Sequence, residues 1–231
     1  MRINIIIPVY NEQELVNDTL KAVISQLTLD YQIIIVDDCS TDNTLKIVNS
    51  FAQTHTNIVV ITNTTHQGFA GVLKQGIVLV PEDEVFIPVM ADGCDDVGLI
   101  EEMYRHICRG ADVVCASRYI KGGRRIGGAL LKSIGSRFVN WIFAIGTKIP
   151  CHDSTNSFKM MRKKACDSFT LESAGFEISA ELILKVFVNK YKIVELPTVW
   201  RERRKGQSHF RLYKDGKRYI KWLFYGFNYR N

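Results

Sequence analysis

Several familiar signatures are missing from this chain of 231 residues. It has no run of 18 apolar residues, so no segment is predicted to cross a bilayer as a helix. No GxGxxG follows the first apolar run, and no GxxxxGKS/T occurs anywhere. The phosphate-binding loops of dinucleotide-binding proteins and P-loop hydrolases are therefore not expected. If a nucleotide binds, its diphosphate must be neutralised in another way.

The cysteines also lack a recognisable pattern, because they form no CxxC pair and no zinc-like spacing. The six are Cys39, Cys94, Cys108, Cys115, Cys151 and Cys166. Residues 1–7 have the composition of a strand rather than of a targeting segment. We therefore predict reduced thiols and a cytoplasmic location.

Composition and length predict one globular domain with a sizeable core, since 46% of residues are hydrophobic and 23% are charged. The net charge of +6 is unevenly distributed. Residues 1–117 carry a net charge of −10, whereas residues 118–148 carry +7 and residues 201–231 carry +8. An acidic half joined to basic segments suggests a metal-using site beside an anion-facing surface.

Apolar runs and helical spacing alternate along the first half of the chain. Strands are predicted at 3–7, 32–36, 58–61, 84–89 and 111–116, and helices at 15–27, 68–80 and 99–108. A further helix, capped by residues 40–42, carries Leu45, Val48 and Phe51 on one face. The second half has predicted helices at 129–145 and 174–189 and strands at 157–161 and 192–196. This alternation predicts an α/β fold with a mostly parallel sheet flanked by helices and a Rossmann-like N-terminal half.

Three predicted strands end in polar or acidic residues. The segments are Pro8 to Glu12, Asp37-Asp38, and Asp92 to Asp96. Ligands bind at the carboxyl ends of parallel strands, where clustered carboxylates can hold a divalent cation. A solvated acidic turn is the alternative for residues 92–96.

Two segments combine aromatic and basic residues. Residues 129–145 are amphipathic at helical spacing, which fits either a core-facing helix or a helix on a membrane surface. Residues 210–229 interleave aromatic side chains with lysine and arginine, which fits an interfacial helix or stacking against nucleic acid.

Taken together, the ordered motifs resemble family 2 inverting glycosyltransferases of the GT-A fold, and among them the dolichyl-phosphate mannose synthase-like subgroup. They are residues 8–12, 36–42, 63–68, 91–96, 117–119, 153–158, and Arg203-x-x-Gly206-x-Ser208. The subgroup usually has a lysine after that serine, whereas this chain has His209.

The resemblance implies a nucleotide-diphosphate sugar donor and Mg²⁺ or Mn²⁺ as cofactor. Donor contacts are implied for Pro8, Tyr10, Glu12, Asp37, Asp38, Asp92 and Arg203. The acidic segment departs from the subgroup's Asp-x-Asp-x-Gln, because Ala91 and Gly93 stand where its two acids are expected. We expect Asp92 and Asp95 to bind the metal, with Asp92 also the central catalytic residue and Asp96 a reserve ligand or a helix cap.

The resemblance also implies a polyprenyl phosphate acceptor held by Arg118, Lys132 and Ser136, with Arg118 counted among the catalytic residues. If the acceptor is instead a saccharide hydroxyl in surface-glycan assembly, a general base is needed, and Asp153 is the first candidate. Residues 1–117 would then bind the donor and residues 118–231 the acceptor. The protein would rest peripherally on the cytoplasmic face of a membrane and bind no nucleic acid. A remote alternative is a non-catalytic module that binds nucleic acid or membranes.

Overall fold

The computed structural model describes residues 1–128, 130–203, 205 and 216–229, with the backbone alone for 130–132. Seven strands form the main sheet: β1 (Ile3–Val9), β2 (Tyr31–Asp37), β3 (Ile58–Thr62), β4 (Val85–Pro88), β5 (Val113–Ser117), β7 (Lys159–Arg162) and β8 (Ile193–Pro197). A second sheet pairs β6 (Arg124–Ile126) with β9 (Val199–Arg201). The helices are α1 (Val16–Gln26), α2 (Thr44–Thr54), α3 (Gly68–Val78), α4 (Ile100–Cys108), α5 (Leu130–Thr147), α6 (Lys163–Asp167), α7 (Ile178–Val188) and α8 (Arg218–Asn228).

The main sheet has the strand order β3-β2-β1-β4-β7-β5-β8. Every neighbouring pair is parallel except those of β7, which runs antiparallel to both β4 and β5. The predicted α/β class and mostly parallel sheet are therefore confirmed. The strand predicted at 157–161 is present as β7, but its antiparallel direction was not predicted, and neither was the small β6–β9 sheet.

Helices cover both faces of the sheet, because the central strands are apolar on both sides. Successive residues of a strand point to opposite faces. Ile5 and Ile7 accordingly join one buried cluster with α1, α2 and α4, and Ile6 joins the other with α3, α5, α7 and α8. The two clusters hold the sheet rigidly, so its carboxyl edge is a fixed platform.

The strand order reverses beside β1, since β2 and β3 lie on one side of it and β4 on the other. Such a switch point opens a crevice at the carboxyl edge of the sheet. Asp37 pairs in register with Val9, and the Val89 amide donates to the Ile6 carbonyl at 2.9 Å. The segments that follow β1, β2 and β4 therefore meet at one crevice, as the polar strand ends predicted.

All six cysteines are free thiols. No helix in the described part of the chain is both long and apolar enough to cross a membrane.

Candidate active site

A cavity of 390 Å³ lies at the switch point between β1 and β4, and we refer to it as the Tyr10 cavity. Its lining includes Pro8, Tyr10, Glu12, Asp38, His66 and Phe69. Four of the predicted donor-binding residues therefore lie around one space. Phe69 stacks on Phe176 with ring centroids 5.0 Å apart, which supplies an apolar wall for a planar ligand.

Asp38 is buried and fully engaged with the loop that leads into α3. One carboxylate oxygen accepts from the Gln67 amide at 2.7 Å, and the other accepts from the Gly68 amide at 2.8 Å. The Asn63 side chain adds a bond of 3.1 Å. Asp38 therefore shapes the cavity by fixing the 63–68 loop, in addition to any contact with a ligand.

Asp37 differs from the other predicted donor residues, because it is completely buried and does not line the Tyr10 cavity. Its Oδ2 accepts from the Ser40 amide at 3.2 Å. Its Oδ1 has no hydrogen-bond partner among the described residues. The geometry favours turn formation for Asp37, and its contact with the nucleotide stays a prediction.

No role was predicted for His66 from the sequence, but its side chain lines the Tyr10 cavity. Its Nδ1 lies 2.8 Å from Asp38 Oδ2, and its ring centroid is 4.7 Å from that of Tyr10. The signal that could have identified it is its position within residues 63–68, one of the motifs that carried the resemblance. Tyr10 and His66 together form an aromatic rim on the cavity.

Asp92 lies just beyond β4, at the point where the backbone turns. Gly93 has φ = 69°, a left-handed conformation that favours glycine, and Thr19 Oγ1 donates to the Ala91 carbonyl at 2.9 Å. Asp92 Oδ1 accepts from the Cys94 amide at 3.1 Å. Its Oδ2 makes no hydrogen bond to the described residues and remains available for a cation or a ligand hydroxyl.

Asp95 turns back toward the strand end, where its Oδ2 accepts from the Met90 amide at 2.9 Å. Burial raises the pKa of Asp95 to about 7, and the neighbouring Asp92 carboxylate adds to the rise. Both aspartates line a smaller cavity, of 220 Å³. The described residues contain no cluster of three or more histidine, cysteine or acidic side chains that could hold a metal alone.

A second cavity, of 270 Å³, is named the Arg118 cavity. Its lining includes Asp92, Arg118, Ser136, Thr155 and Arg203. It shares Met90 and Phe176 with the Tyr10 cavity, so the two spaces adjoin across these side chains. Residues predicted for the donor and for the acceptor thus border neighbouring cavities, with the acidic segment between them.

Arg118 forms a two-pronged ion pair with Asp153. Its Nε and Nη2 atoms each donate to one carboxylate oxygen at 2.7 Å, and its backbone amide adds a bond of 3.0 Å. Asp153 is fully buried and lines neither cavity, whereas Arg118 lines the Arg118 cavity. A general base needs a lone pair directed at the acceptor. In this geometry Asp153 positions Arg118, and the arrangement does not favour the base role predicted for it.

Helix α5 carries the other two predicted acceptor residues. Ser136 Oγ accepts from the Tyr119 hydroxyl at 2.9 Å, next to Arg118. Asn140 holds the helix against the 153–158 loop through two bonds with Thr155, of 2.8 and 3.0 Å. Lys132 lies in the same helix, but the prediction made for its side chain falls outside the described part.

Arg203 reaches back to Glu12, and its Nη2 donates to Glu12 Oε2 at 2.5 Å. Both side chains are 11% exposed. Burial raises the pKa of Glu12, although Arg203 acts against that rise. Two residues predicted to contact the donor therefore contact each other. The loop residues Gly206, Ser208 and His209, and residues 210–215 of the aromatic tail, fall outside the described part.

Comparison with known proteins identifies the architecture. Residues 4–169 match the family model described as Glycosyl transferase family 2. The chain is 29% identical over 212 residues to a dolichol-phosphate mannosyltransferase of Pyrococcus furiosus, covering 90% of this chain and 59% of that protein. It is 36% identical over 94 residues to a poly(ribitol-phosphate) β-glucosyltransferase of Bacillus spizizenii, covering 40% of this chain and 15% of that protein.

Among solved structures, glucosyl-3-phosphoglycerate synthase from Mycobacterium tuberculosis superposes with a TM-score of 0.73 at 13% identity. The match covers 98% of this chain and 80% of that one. That structure contains Mn²⁺, UDP and glucosyl-3-phosphoglycerate. This chain spans about three fifths of the Pyrococcus protein. From the matched family model, the shared fold and the ordered motifs at the sheet edge, we conclude that the chain belongs to glycosyltransferase family 2 and has the GT-A fold.

Proposed function

We propose that this chain is a metal-dependent inverting glycosyltransferase that moves a sugar from a nucleotide-diphosphate donor to a polyprenyl phosphate. In this proposal residues 1–231 act as one domain. Residues 1–117 bind the donor, and residues 118–231 bind the acceptor at the cytoplasmic face of a membrane. The similarity to the dolichol-phosphate mannosyltransferase of Pyrococcus furiosus supports this assignment.

One feature carries the choice of acceptor: helix α5 borders the Arg118 cavity with one face and exposes an apolar face beside it. Gly135, Ser136 and Val139 line the cavity. Ile134, Phe138, Trp141 and Ile145 are each between 55% and 57% exposed. A polyprenyl phosphate needs both surfaces, since its phosphate requires cations and its chain requires an apolar environment.

On the donor side, the Tyr10 cavity supplies an aromatic rim and hydrogen-bond acceptors for a base and ribose. Arg203 is held close by Glu12 and would exchange that carboxylate for the donor's diphosphate. Such an exchange would free Glu12 to accept hydrogen bonds from ribose hydroxyls.

The residues present fit a divalent cation shared with the donor. Asp92 has one uncommitted oxygen, and Asp95 lies on the same small cavity. Mg²⁺ is commonly held by one or two protein carboxylates together with substrate phosphates, so the absence of a third described ligand is no obstacle. When bound, the metal would stabilise the charge that develops on the departing diphosphate.

Side chains of the protein would orient the acceptor and exclude water. Arg118, fixed by Asp153, would orient the acceptor phosphate in the Arg118 cavity with help from Ser136. A phosphate is already anionic, so it can attack the anomeric carbon without a base, from the face opposite the leaving diphosphate. The buried ion pair and the small cavity would exclude water, which otherwise competes as acceptor.

The proposal is tested by following nucleoside diphosphate release from a panel of UDP- and GDP-sugars, with Mg²⁺ or Mn²⁺ and a short-chain polyprenyl phosphate. We expect release with at least one donor, and we expect it to depend on both the metal and the acceptor. Polyprenol of the same chain length is the matched control, because it lacks only the phosphate. An absence of release with every donor, or equal release with polyprenol, would contradict the proposal.

A second candidate keeps the donor chemistry but transfers the sugar to a hydroxyl of a surface glycan. The match to the poly(ribitol-phosphate) β-glucosyltransferase favours it. An Asp153→Asn variant does not separate the two candidates cleanly, because the same change breaks the buried pair with Arg118. Direct competition between a polyprenyl phosphate and a poly(ribitol phosphate) acceptor separates them.

Membrane docking is supported by a second apolar stripe next to that of α5. Ile220, Phe224 and Phe227 on α8 are at least 40% exposed. The stripes adjoin, because a Cβ added at Gly146 of α5 would lie 2.5 Å from the Phe227 ring. Exposed Arg137 lies on the same helix as the first stripe. Apolar side chains next to cations suit the interface of an anionic membrane.

A Phe138→Ser/Trp141→Ser variant is expected to bind anionic phospholipid vesicles at least about tenfold more weakly than the wild type, because two half-exposed aromatic rings lose their burial in lipid. Vesicle co-sedimentation measures the change. Val78→Ser is the matched control, since Val78 is 77% exposed on α3 and belongs to neither stripe. Unchanged vesicle binding, or a loss confined to self-association of the protein, would count against docking on lipid.

A further inference from the structure

Arg218, the first residue of α8, lines the Tyr10 cavity with a half-buried side chain. The three arginines of the neighbouring cavity are already paired: Arg118 with Asp153, Arg125 with Glu202, and Arg203 with Glu12. Arg218 makes no hydrogen bond, ion pair or ring contact with any residue of 1–128, 130–203, 205 and 216–229. A guanidinium is seldom left unpaired at a partly buried position, because it has five donors to satisfy.

The surroundings of Arg218 give its side chain a defined place. Gly175 leaves space for it, since a Cβ at that position would lie 2.3 Å from Arg218 Nη1. The turn containing Gly175 is fixed by Glu177, whose Oε1 accepts from the Ala174 and Gly175 amides at 3.1 Å each. Oε2 of Glu177 is buried and lacks a hydrogen-bond partner among the described residues. This oxygen of Glu177 forms no ion pair with Arg218, and both residues belong to the described part of the chain.

The charges around the Tyr10 cavity indicate which of its residues can attract an anionic ligand. Glu12 and Asp38 both line the cavity and would repel an anion. His66 also lines it, but its Nδ1 is engaged with Asp38. Among the described residues that line the cavity, Arg218 is the one lysine or arginine. An anionic ligand in this space would therefore find its strongest attraction at Arg218.

We propose that Arg218 is an anion-binding residue of the Tyr10 cavity and contacts a phosphate of the nucleotide-sugar donor, in a position made possible by Gly175. The inference rests on the proposed function, because it takes a nucleoside diphosphate as the occupant of the cavity. It adds a donor contact that the sequence motifs did not include. An arginine fork matches the geometry of phosphate oxygens and supplies a charge that Asp38 and Glu12 cannot.

The test compares the binding of uridine, UMP and UDP, and of the guanosine series, to wild type and Arg218→Gln by calorimetry without metal. For the base that binds, we expect Arg218→Gln to weaken diphosphate binding at least about tenfold and to leave nucleoside binding unchanged. Arg109→Gln is the matched control, because it removes the same charge from an exposed position outside all three cavities.

The outcomes separate the two proposals. If the wild type binds neither diphosphate, the proposed function fails. If the wild type binds UDP or GDP and Arg218→Gln binds it equally well, the role of Arg218 is overturned while the proposed function stands. An equal loss for nucleoside and diphosphate would place Arg218 against the base or ribose and would likewise overturn the phosphate contact.

Gly175→Ala provides an independent test that leaves the arginine in place. Gly175 does not have a left-handed backbone, so alanine is tolerated there apart from its contact with Arg218 and Glu177. Gly175→Ala alone is expected to weaken diphosphate binding. When it is combined with Arg218→Gln, it is expected to cause no further loss. Additive losses in the double variant would show that Gly175 acts separately from Arg218 and would contradict the inferred placement.

Discussion

Asp92→Ala is expected to slow glycosyl transfer by about 100- to 1,000-fold, the usual cost of removing one group that stabilises charge in a transition state. Asp92 lines the Arg118 cavity, and its Oδ1 accepts from the Cys94 amide, which leaves the other carboxylate oxygen to help hold a cation. The effect should fall mainly on kcat, because charge develops on the leaving diphosphate only as the bond to the sugar breaks. Initial rates measured across a titration of Mg²⁺ or Mn²⁺ would show it.

Asp96→Ala is the control for this prediction. Asp96 belongs to the same acidic segment and is similarly half-buried, but it lines none of the three cavities. We expect near-normal rates from that variant and a native far-UV spectrum from both. If Asp92→Ala retained activity that still required metal, Asp95 and Asp96 would have to be the ligands.

Asp153→Ala is expected to lower the free energy of unfolding by about 3–5 kcal/mol, the typical cost of leaving one partner of a buried ion pair uncompensated. The side chain of Arg118 is 10% exposed and would lose two hydrogen bonds to the missing carboxylate, and the Arg118 backbone amide would lose a third. For a chain of this size the melting temperature should fall by roughly 10 °C. Urea denaturation with a constant slope would measure the free energy directly.

Lys221→Ala serves as the comparison, because Lys221 and Glu172 form an ion pair in which both side chains are more than half exposed. Exposed pairs contribute about 0–1 kcal/mol, so that variant should be nearly as stable as the wild type. Replacing both Arg118 and Asp153 with leucine should recover much of the stability while abolishing transfer. A loss below about 1 kcal/mol for Asp153→Ala would show that Arg118 finds another partner.

The sequence was sufficient for most secondary structure and for bringing three polar strand ends together at one edge of the sheet. Continuous apolar runs predicted β1 to β5, because strands buried on both faces leave that pattern. The direction of β7 could not be read in the same way. It is set by pairing with Phe86 on one side and with Val113 on the other, contacts between residues far apart in the chain. Strands β6 and β9 have only three residues each, which is too short to give a periodic signal.

The site was predictable where residues follow a strand, and less so where tertiary packing decides their role. Tyr10 and Glu12 were placed correctly at the crevice by the motif after β1. Asp37 shares the motif of Asp38, but burial directs it into the turn. Arg218 belongs to no motif, and its proximity to Gly175 arises only when α8 packs against α7. Such a residue is recognised only in the folded structure, where its charge has no partner among the described residues.

The antiparallel strand β7 also determines the order in which the sheet can be completed. The first 88 residues supply β3, β2, β1 and β4, which pair with one another in parallel. The outer edge of β4 then stays open until residues 159–162 are available, and β5 has no partner before β7 and β8. The apolar edge of β4 stays unpaired while some seventy further residues are added, and such an edge can associate with strand edges of other chains. In this protein the risk is confined to synthesis and refolding. It ends when β7, a strand of four residues, pairs with β4 and β5.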